Sequence, residues 1–148
     1  MNRRAILIAS SPQSDPIPGV YADLAAWSDF LRSYPGGFWF PEEIIEAKDR
    51  SRDEILAAVK SAEAADYSLV IFAGHGQAVT TELPWPETEL FLNDTETIME
   101  RALNPGTPRC TIIMDCCRRS PELESFAVFA KKAAILESAQ DPVLSRAR

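Results

Sequence analysis

Cysteine and histidine are scarce in this chain of 148 residues, which has three cysteines and a single histidine. Two of the cysteines are adjacent, so they do not resemble the paired framework of a disulfide-rich secreted domain. Thiols that stay reduced are typical of the cytosol, and we therefore predict a cytoplasmic protein. The chain also lacks any run of about 18 or more apolar residues, which argues against a transmembrane helix.

Basic residues are outnumbered, with 15 Lys and Arg against 22 Asp and Glu and a formal net charge of -7. This balance argues against nucleic acid and anionic membranes as partners, because both attract basic surfaces. The N-terminal apolar run at 5–9 follows two arginines but is shorter than the roughly 7–15 residues of a signal-peptide core. We interpret it as a buried strand, and the whole of 1–148 as a single domain.

Apolar runs alternate with segments of helical periodicity along the chain. Strands are predicted at 5–10, 67–73 and 110–114, with weaker candidates at 39–47 and 133–138. Helices are predicted at 21–34, 51–65, 94–103 and 121–132, and a surface loop at 77–93. Ser51 and Glu54 match a capping box that begins the second helix. Strands alternating with helices predict an α/β fold with a largely parallel sheet.

Reactive side chains follow two of the predicted strands at the point where each strand ends. The only histidine, His75, comes just after the strand at 67–73, and residues 115–117, Asp-Cys-Cys, follow the strand at 110–114. In parallel sheets, functional groups gather beyond the carboxyl ends of the strands. If the two strands are neighbours, an imidazole and a thiol therefore meet at one edge of the sheet.

A thiol and an imidazole are the minimum for nucleophilic catalysis by cysteine. The thiolate is the reactive form, and an imidazole can take the thiol proton and later protonate a leaving amine. Glycines flank His75, and the Gly76 amide can help the amide of the cysteine to hold an oxyanion. Taken singly, a strand-end histidine and a cysteine after an apolar strand are also typical of ordinary core packing. Zinc is disfavoured because the chain has no Cys-x-x-Cys spacing.

These two strand ends resemble the motifs of the caspase-like cysteine peptidases, most closely those of the metacaspase branch. Residues 72–76 read Phe-Ala-Gly-His-Gly and residues 115–118 read Asp-Cys-Cys-Arg. In that family the nucleophile ends an Asp-x-Cys motif. The resemblance implies a three-layer α-β-α sandwich with a mostly parallel central sheet. It also implies that Cys117 is the nucleophile, that Cys116 fills the variable position and that His75 is the general acid/base.

A second part of the resemblance concerns the specificity pocket. The family begins its first helix with a Gly-x-x-Asn-Asp-like pattern, and residues 19–24 here read Gly-Val-Tyr-Ala-Asp-Leu. In metacaspases that aspartate and the one of Asp-x-Cys line an acidic S1 pocket. The resemblance therefore implies that Asp23 and Asp115 bind a substrate Arg or Lys, since paired carboxylates are favourable around a guanidinium. The alternatives are a solvated first-turn residue for Asp23 and a capping carboxylate for Asp115.

The chain departs from the family after the cysteine. Arg118-Arg119-Ser120 stands where metacaspases have His-Ser-Gly, and the family normally adds two more strands, of which 133–138 can supply one. We therefore expect a large-subunit-like portion whose sheet lacks its last strands and whose C-terminal part is missing or has been removed. Self-cleavage after arginine would leave an end such as Arg148, and a natural C-terminus is the alternative.

The expected function is a cysteine endopeptidase that cleaves protein substrates after Arg, and also Lys, through a Cys–His dyad and a thioester. No cofactor is implied. The means of activation stays open between calcium, self-processing, a small-subunit fragment and an activating protein. The acidic residues between 87 and 96 lack an EF-hand pattern and are interpreted as a solvated surface. Two alternatives remain: a catalytically silent caspase-like module that binds a partner, and an unrelated α/β hydrolase or transferase.

Overall fold

The computed structural model describes residues 1–116, which contain seven β-strands and two α-helices. The helices alternate with the first three strands only. The strands are β1 (Arg3–Ala9), β2 (Ile44–Lys48), β3 (Tyr67–Ala73), β4 (Gly76–Val79), β5 (Glu87–Phe91), β6 (Thr97–Met99) and β7 (Cys110–Asp115). The helices are α1 (Gly19–Arg32) and α2 (Arg52–Ser61), and short 3-10 helices cover Pro41–Glu43 and Glu100–Leu103. No helix within these residues is long and apolar enough to cross a membrane.

Four strands form the central sheet in the order β2-β1-β3-β7, and every neighbouring pair is parallel. β1 and β3 lie in the middle of the sheet, and their side chains are almost all buried. Parallel strands that are covered on both faces require this kind of nearly continuous apolar sequence. The predicted, mostly parallel central sheet is therefore confirmed, and β3 has the predicted bounds.

The two helices lie on opposite faces of this sheet, because successive residues of a strand point to opposite sides. On one face, Ala5 and Leu7 of β1 share a hydrophobic core with Leu24 of α1. On the other face, Ile8 of β1 shares a second core with Ile55 of α2. The result is a three-layer α-β-α arrangement, as the family resemblance implies.

The start of α2 shows the predicted capping box. The Ser51 hydroxyl accepts a hydrogen bond from the Glu54 amide, and the Glu54 carboxylate accepts one from the Ser51 amide at 3.0 Å. The hydrogen bonds that the Ser51 amide and hydroxyl donate to the Glu54 carboxylate lower the pKa of that carboxyl from its usual value. The helix ends at Ser61, earlier than the predicted Ala65, and a turn follows in which the Ala62 amide donates to the Val59 carbonyl.

The sequence predicts a surface loop over 77–93 and a helix over 94–103, and both predictions are wrong. β4, β5 and β6 form a separate antiparallel sheet in the order β4-β5-β6. From Thr88 to Phe91, buried and partly exposed residues of β5 alternate in the way a half-buried strand requires. Leu90 is fully buried in the α2-side core, whereas the Glu89 carboxylate accepts hydrogen bonds from Gln77 and Thr97 on the two flanking strands.

Asn93 accounts for the missing helix. Its side-chain oxygen accepts hydrogen bonds from the amides of Thr95, at 3.0 Å, and Glu96, at 2.9 Å. An asparagine that binds amides two and three residues ahead closes a turn, so the chain reverses here and begins β6. Only Glu100–Leu103, at the end of the predicted helix, adopts a helical turn.

Several predictions concern residues that lie outside 1–116. These are the helix at 121–132, the strand at 133–138, the nucleophile Cys117 and the terminal Arg148. They stay predictions.

Candidate active site

The carboxyl ends of three central strands meet at one edge of the sheet. Ala73, the last residue of β3, lies in register with Ala9 of β1 and with Asp115 of β7. The pairing continues one residue further, because the Gly74 amide donates to the Asp115 carbonyl at 3.2 Å. The structure therefore brings the His75 segment and Asp115 to the same edge, as the parallel pairing of their strands requires.

A glycine is required at position 74 because there is no room for a Cβ atom, and not because the backbone angle is unusual. Its φ is not positive, unlike those of Gly37 and Gly106. A Cβ atom at position 74 would lie 2.8 Å from the Ser10 carbonyl oxygen and 2.9 Å from the Phe72 ring. The chain therefore passes from β3 to His75 through a gap that admits only a glycine without movement of its neighbours.

The His75 imidazole is partly exposed and is held by a residue of the loop between β1 and α1. Its Nε2 lies 2.9 Å from the Asp15 carbonyl oxygen and 3.1 Å from the Asp15 Oδ2. A carbonyl oxygen only accepts hydrogen bonds, so Nε2 is assigned as the protonated nitrogen. In the neutral ring, Nδ1 then carries the lone pair that a general base needs.

The loop that contains Asp15 is anchored on both sides. The Ser14 amide and hydroxyl both donate to Asp94 in the β5–β6 turn, and these bonds lower the pKa of the Asp94 carboxyl. The Ser11 amide donates to the Asp49 carboxylate at 3.0 Å. Sequence reasoning missed Asp15 because its principal contact uses a backbone oxygen, which no side-chain motif reveals.

Gly76 begins an edge strand. The Phe91 amide donates to the His75 carbonyl at 3.0 Å, which makes Gly76 and Leu90 a non-hydrogen-bonded pair of the antiparallel ladder. The Gly76 amide is therefore directed away from β5. Among residues 1–116, β4 has no strand on its other side.

Asp23 and Asp115 line the same pocket. Its volume is about 320 Å³, and its other described lining residues are Ala26, Trp27 and Phe30 of α1. Both aspartates are exposed. Asp115 reaches the α1 side because it follows Met114, which packs on the α2 side, and strand residues alternate. The two aromatic residues were not predicted as part of a site, since their helical spacing is equally typical of a core face.

Cys116 packs against the α2-side core together with Ile112 and Met114, on the face of the sheet opposite to Asp115. Its side chain is half-buried. This position fits the small-core-residue interpretation for the first cysteine of the pair. Cys117, the nucleophile that the resemblance implies, lies outside the described residues.

The acidic residues between 87 and 96 are not a simple solvated surface, so that interpretation is wrong. Glu87 is 3% exposed and its carboxylate lies 3.1 Å from the Arg101 guanidinium. The Glu96 carboxylate accepts a hydrogen bond from Asn93. Within residues 1–116, no group of three or more acidic, histidine or cysteine side chains is arranged to hold a metal ion.

The fold is similar to that of a caspase. The crystal structure of caspase-1 from Spodoptera frugiperda matches with a TM-score of 0.56 and 16% sequence identity, over 78% of this chain and 47% of that one. This chain therefore spans about half the length of the caspase, at 47%. No protein-family model and no curated protein matches the sequence. At this identity the likeness concerns the fold, which is caspase-like.

Proposed function

Starting from a caspase-like fold, we propose that this chain carries the catalytic residues of a cysteine endopeptidase that cleaves after basic residues. The observation that carries the proposal is that Asp23 and Asp115 line the same pocket, at the sheet edge that also bears His75. A nucleophile at Cys117, two positions after the last residue of β7, completes the proposed site.

The proposed reaction has two steps. The Cys117 sulfur attacks the carbonyl carbon after the basic residue, and the thiol proton passes to His75. The tetrahedral intermediate then collapses, the carbon–nitrogen bond breaks, and His75 gives its proton to the leaving amine. Water attacks the resulting thioester while His75 takes one of its protons. The carbon–sulfur bond then breaks, the acid product is released, and His75 gives that proton to the Cys117 sulfur.

The described contacts of His75 support this role. A proton on Nε2, held by the Asp15 carbonyl, keeps the ring in one orientation and leaves Nδ1 to act as the base. The outward direction of the Gly76 amide suits an oxyanion donor beside the ring. A donor of this kind typically lowers the barrier by about 3–4 kcal/mol.

The pocket supports a basic residue at the cleaved position. Two carboxylates that share a small space repel each other, and a guanidinium or ammonium group between them removes that repulsion. The charged residues among the described lining of the pocket are Asp23 and Asp115, and both are acidic, which supports this proposal. An acidic substrate residue would therefore be repelled.

Fluorogenic peptides that differ only in Arg, Lys or Asp before the cleaved bond test the proposal, assayed with and without calcium. We expect cleavage after Arg and Lys and none after Asp. Cys117→Ala and His75→Ala should abolish cleavage, whereas Cys116→Ala should retain it because Cys116 packs in the core. Asp23→Asn and Asp115→Asn should each lower kcat/KM for the Arg peptide about ten- to hundredfold, as expected for a hydrogen bond to a charged group.

Several outcomes would contradict the proposal. Hydrolysis of the Asp peptide would refute the acidic pocket, and equal loss in both cysteine variants would refute the choice of Cys117. A folded protein that cleaves no peptide, with or without calcium, would favour the alternative of a catalytically silent module that binds a partner.

A further inference from the structure

We propose that Trp27 makes the pocket prefer arginine over lysine, an inference that rests on the proposed peptidase function. Carboxylates alone accept either cation. The pocket also has an aromatic wall, Trp27 and Phe30, on the helix that supplies Asp23. Such a wall distinguishes the two cations by shape and hydration.

The spacing along α1 places the indole close to the charge. Asp23, Trp27 and Phe30 are separated by four and three residues, so they lie on one side of the helix. Trp27 is about 6 Å along the axis from Asp23, at 1.5 Å per residue. Both side chains line the same pocket, so a cation bound to the Asp23 carboxylate can approach the indole, and an aromatic ring attracts a cation within about 6 Å of its centroid.

Phe30 braces this ring. The Trp27 and Phe30 rings meet edge to face, with centroids 5.8 Å apart and planes at 83°. This is a favoured geometry for aromatic pairs. Phe30 itself is 45% exposed, so the aromatic wall opens towards solvent and a ligand can reach it. We assign Phe30 a positioning role and Trp27 the contact with the substrate.

The chemistry of the two cations favours arginine at such a wall. A guanidinium is planar, stacks on aromatic faces and is weakly hydrated, and its fork can bind a carboxylate through two nitrogens at once. A lysine ammonium is compact and strongly hydrated, so placing it against an indole costs more desolvation. Arginine is therefore stabilised both by the carboxylates and by the aromatic wall, whereas lysine is stabilised mainly by the carboxylates.

The test is the ratio of kcat/KM for two peptides that differ only in Arg or Lys before the cleaved bond. We expect Trp27→Leu to lower the Arg-over-Lys ratio by about three- to tenfold, the range of a partly desolvated cation–π contact. Trp27→Phe should retain most of the preference. Trp85→Leu is the matched control, because Trp85 is 60% exposed and is not among the pocket-lining residues. A ratio is insensitive to partial misfolding, since that lowers both rates together.

An unchanged ratio in Trp27→Leu, with cleavage still dependent on Cys117, would overturn the inference and leave the peptidase proposal intact. If the wild type cleaves neither peptide, the peptidase proposal fails, and binding decides the inference instead. The chain has three tryptophans, and Trp27→Phe identifies the Trp27 indole signal in an NMR spectrum. We expect N-acetyl-arginine methylamide to shift that signal at a lower concentration than its lysine counterpart. No shift, or equal shifts, would overturn the inference.

Discussion

Gly74→Ala should destabilise the protein, because the added methyl group has no room. Its Cβ would lie 2.8 Å from the Ser10 carbonyl oxygen and 2.9 Å from the Phe72 ring. Ser10 cannot move aside easily, since its amide donates to the Ala73 carbonyl at 3.0 Å. Phe72 is fully buried in the core. Overpacking of this kind typically costs about 1–3 kcal/mol.

Thermal unfolding followed by circular dichroism measures the effect. At about 2–4 °C per kcal/mol for a chain of this size, Tm should fall by roughly 2–12 °C. Gly19→Ala is the matched control, because position 19 has no atom within 4 Å of an added Cβ and lies at the start of α1. The control should be neutral or slightly stabilising, since alanine restricts the unfolded chain.

Peptide cleavage gives a second measure of the same change. Relief of the contact must move either Ser10 or the backbone that leads to His75, so Gly74→Ala should lose activity even at temperatures where it stays folded. An equal Tm for Gly74→Ala and the wild type would refute the argument that this glycine is required by space. A Gly19→Ala protein that loses as much stability as Gly74→Ala would refute it as well.

Three further changes test the scaffold by urea unfolding. Arg3 binds Glu43 and holds the pKa of that carboxyl below its usual value. The pair therefore stabilises the folded protein fully at pH values above the pKa of Glu43 in the unfolded chain. This stabilisation is lost as the pH falls through the lowered pKa of Glu43 in the folded protein. The stability difference between wild type and Glu43→Gln should therefore shrink towards acid pH, and a constant difference would contradict this. Ser51→Ala should lower the free energy of unfolding by about 1 kcal/mol, and Ser51→Asp should restore it. Unchanged stability in Ser51→Ala would show that the cap contributes nothing. Arg101→Met should lower the free energy of unfolding by about 1–3 kcal/mol, because the buried Glu87 carboxylate loses its cationic partner. The loss should be smaller than for a fully buried ion pair, since Arg101 is 64% exposed. Glu87→Gln in that background should recover part of the loss.

The central sheet was predictable because the apolar sequence of its strands agrees with their buried position in the fold. Residues 67–73 are apolar almost throughout, and only a strand covered on both faces needs that pattern. The small antiparallel sheet was not predictable in the same way. Its strands are short and mix charged with apolar residues, and Glu89 becomes acceptable in a strand only through partners on β4 and β6. Propensity is a weak guide where such tertiary contacts decide.

Some residues of the candidate site were also predictable from the sequence, and others were not. His75 and Asp115 follow apolar strands, so parallel pairing alone predicts that they share an edge. Asp23 depended on a family resemblance, and the pocket it shares with Asp115 joins residues 92 positions apart (115 minus 23). Asp15 and Trp27 had no sequence signal of their own. The first acts through its backbone oxygen, and the second has the spacing of an ordinary core residue.

The alternation of Met114, Asp115 and Cys116 across β7 has a consequence for how this protein can change. At this end of β7, Met114 and Cys116 pack against the α2-side core, whereas Asp115 lines the pocket on the α1 side. α1 also packs a core of its own through Val20, Leu24 and Leu31, and its exposed pocket residues Asp23, Ala26 and Phe30 lie outside that core. Under the proposed function, these exposed positions can therefore change substrate choice with little effect on the packing of either core.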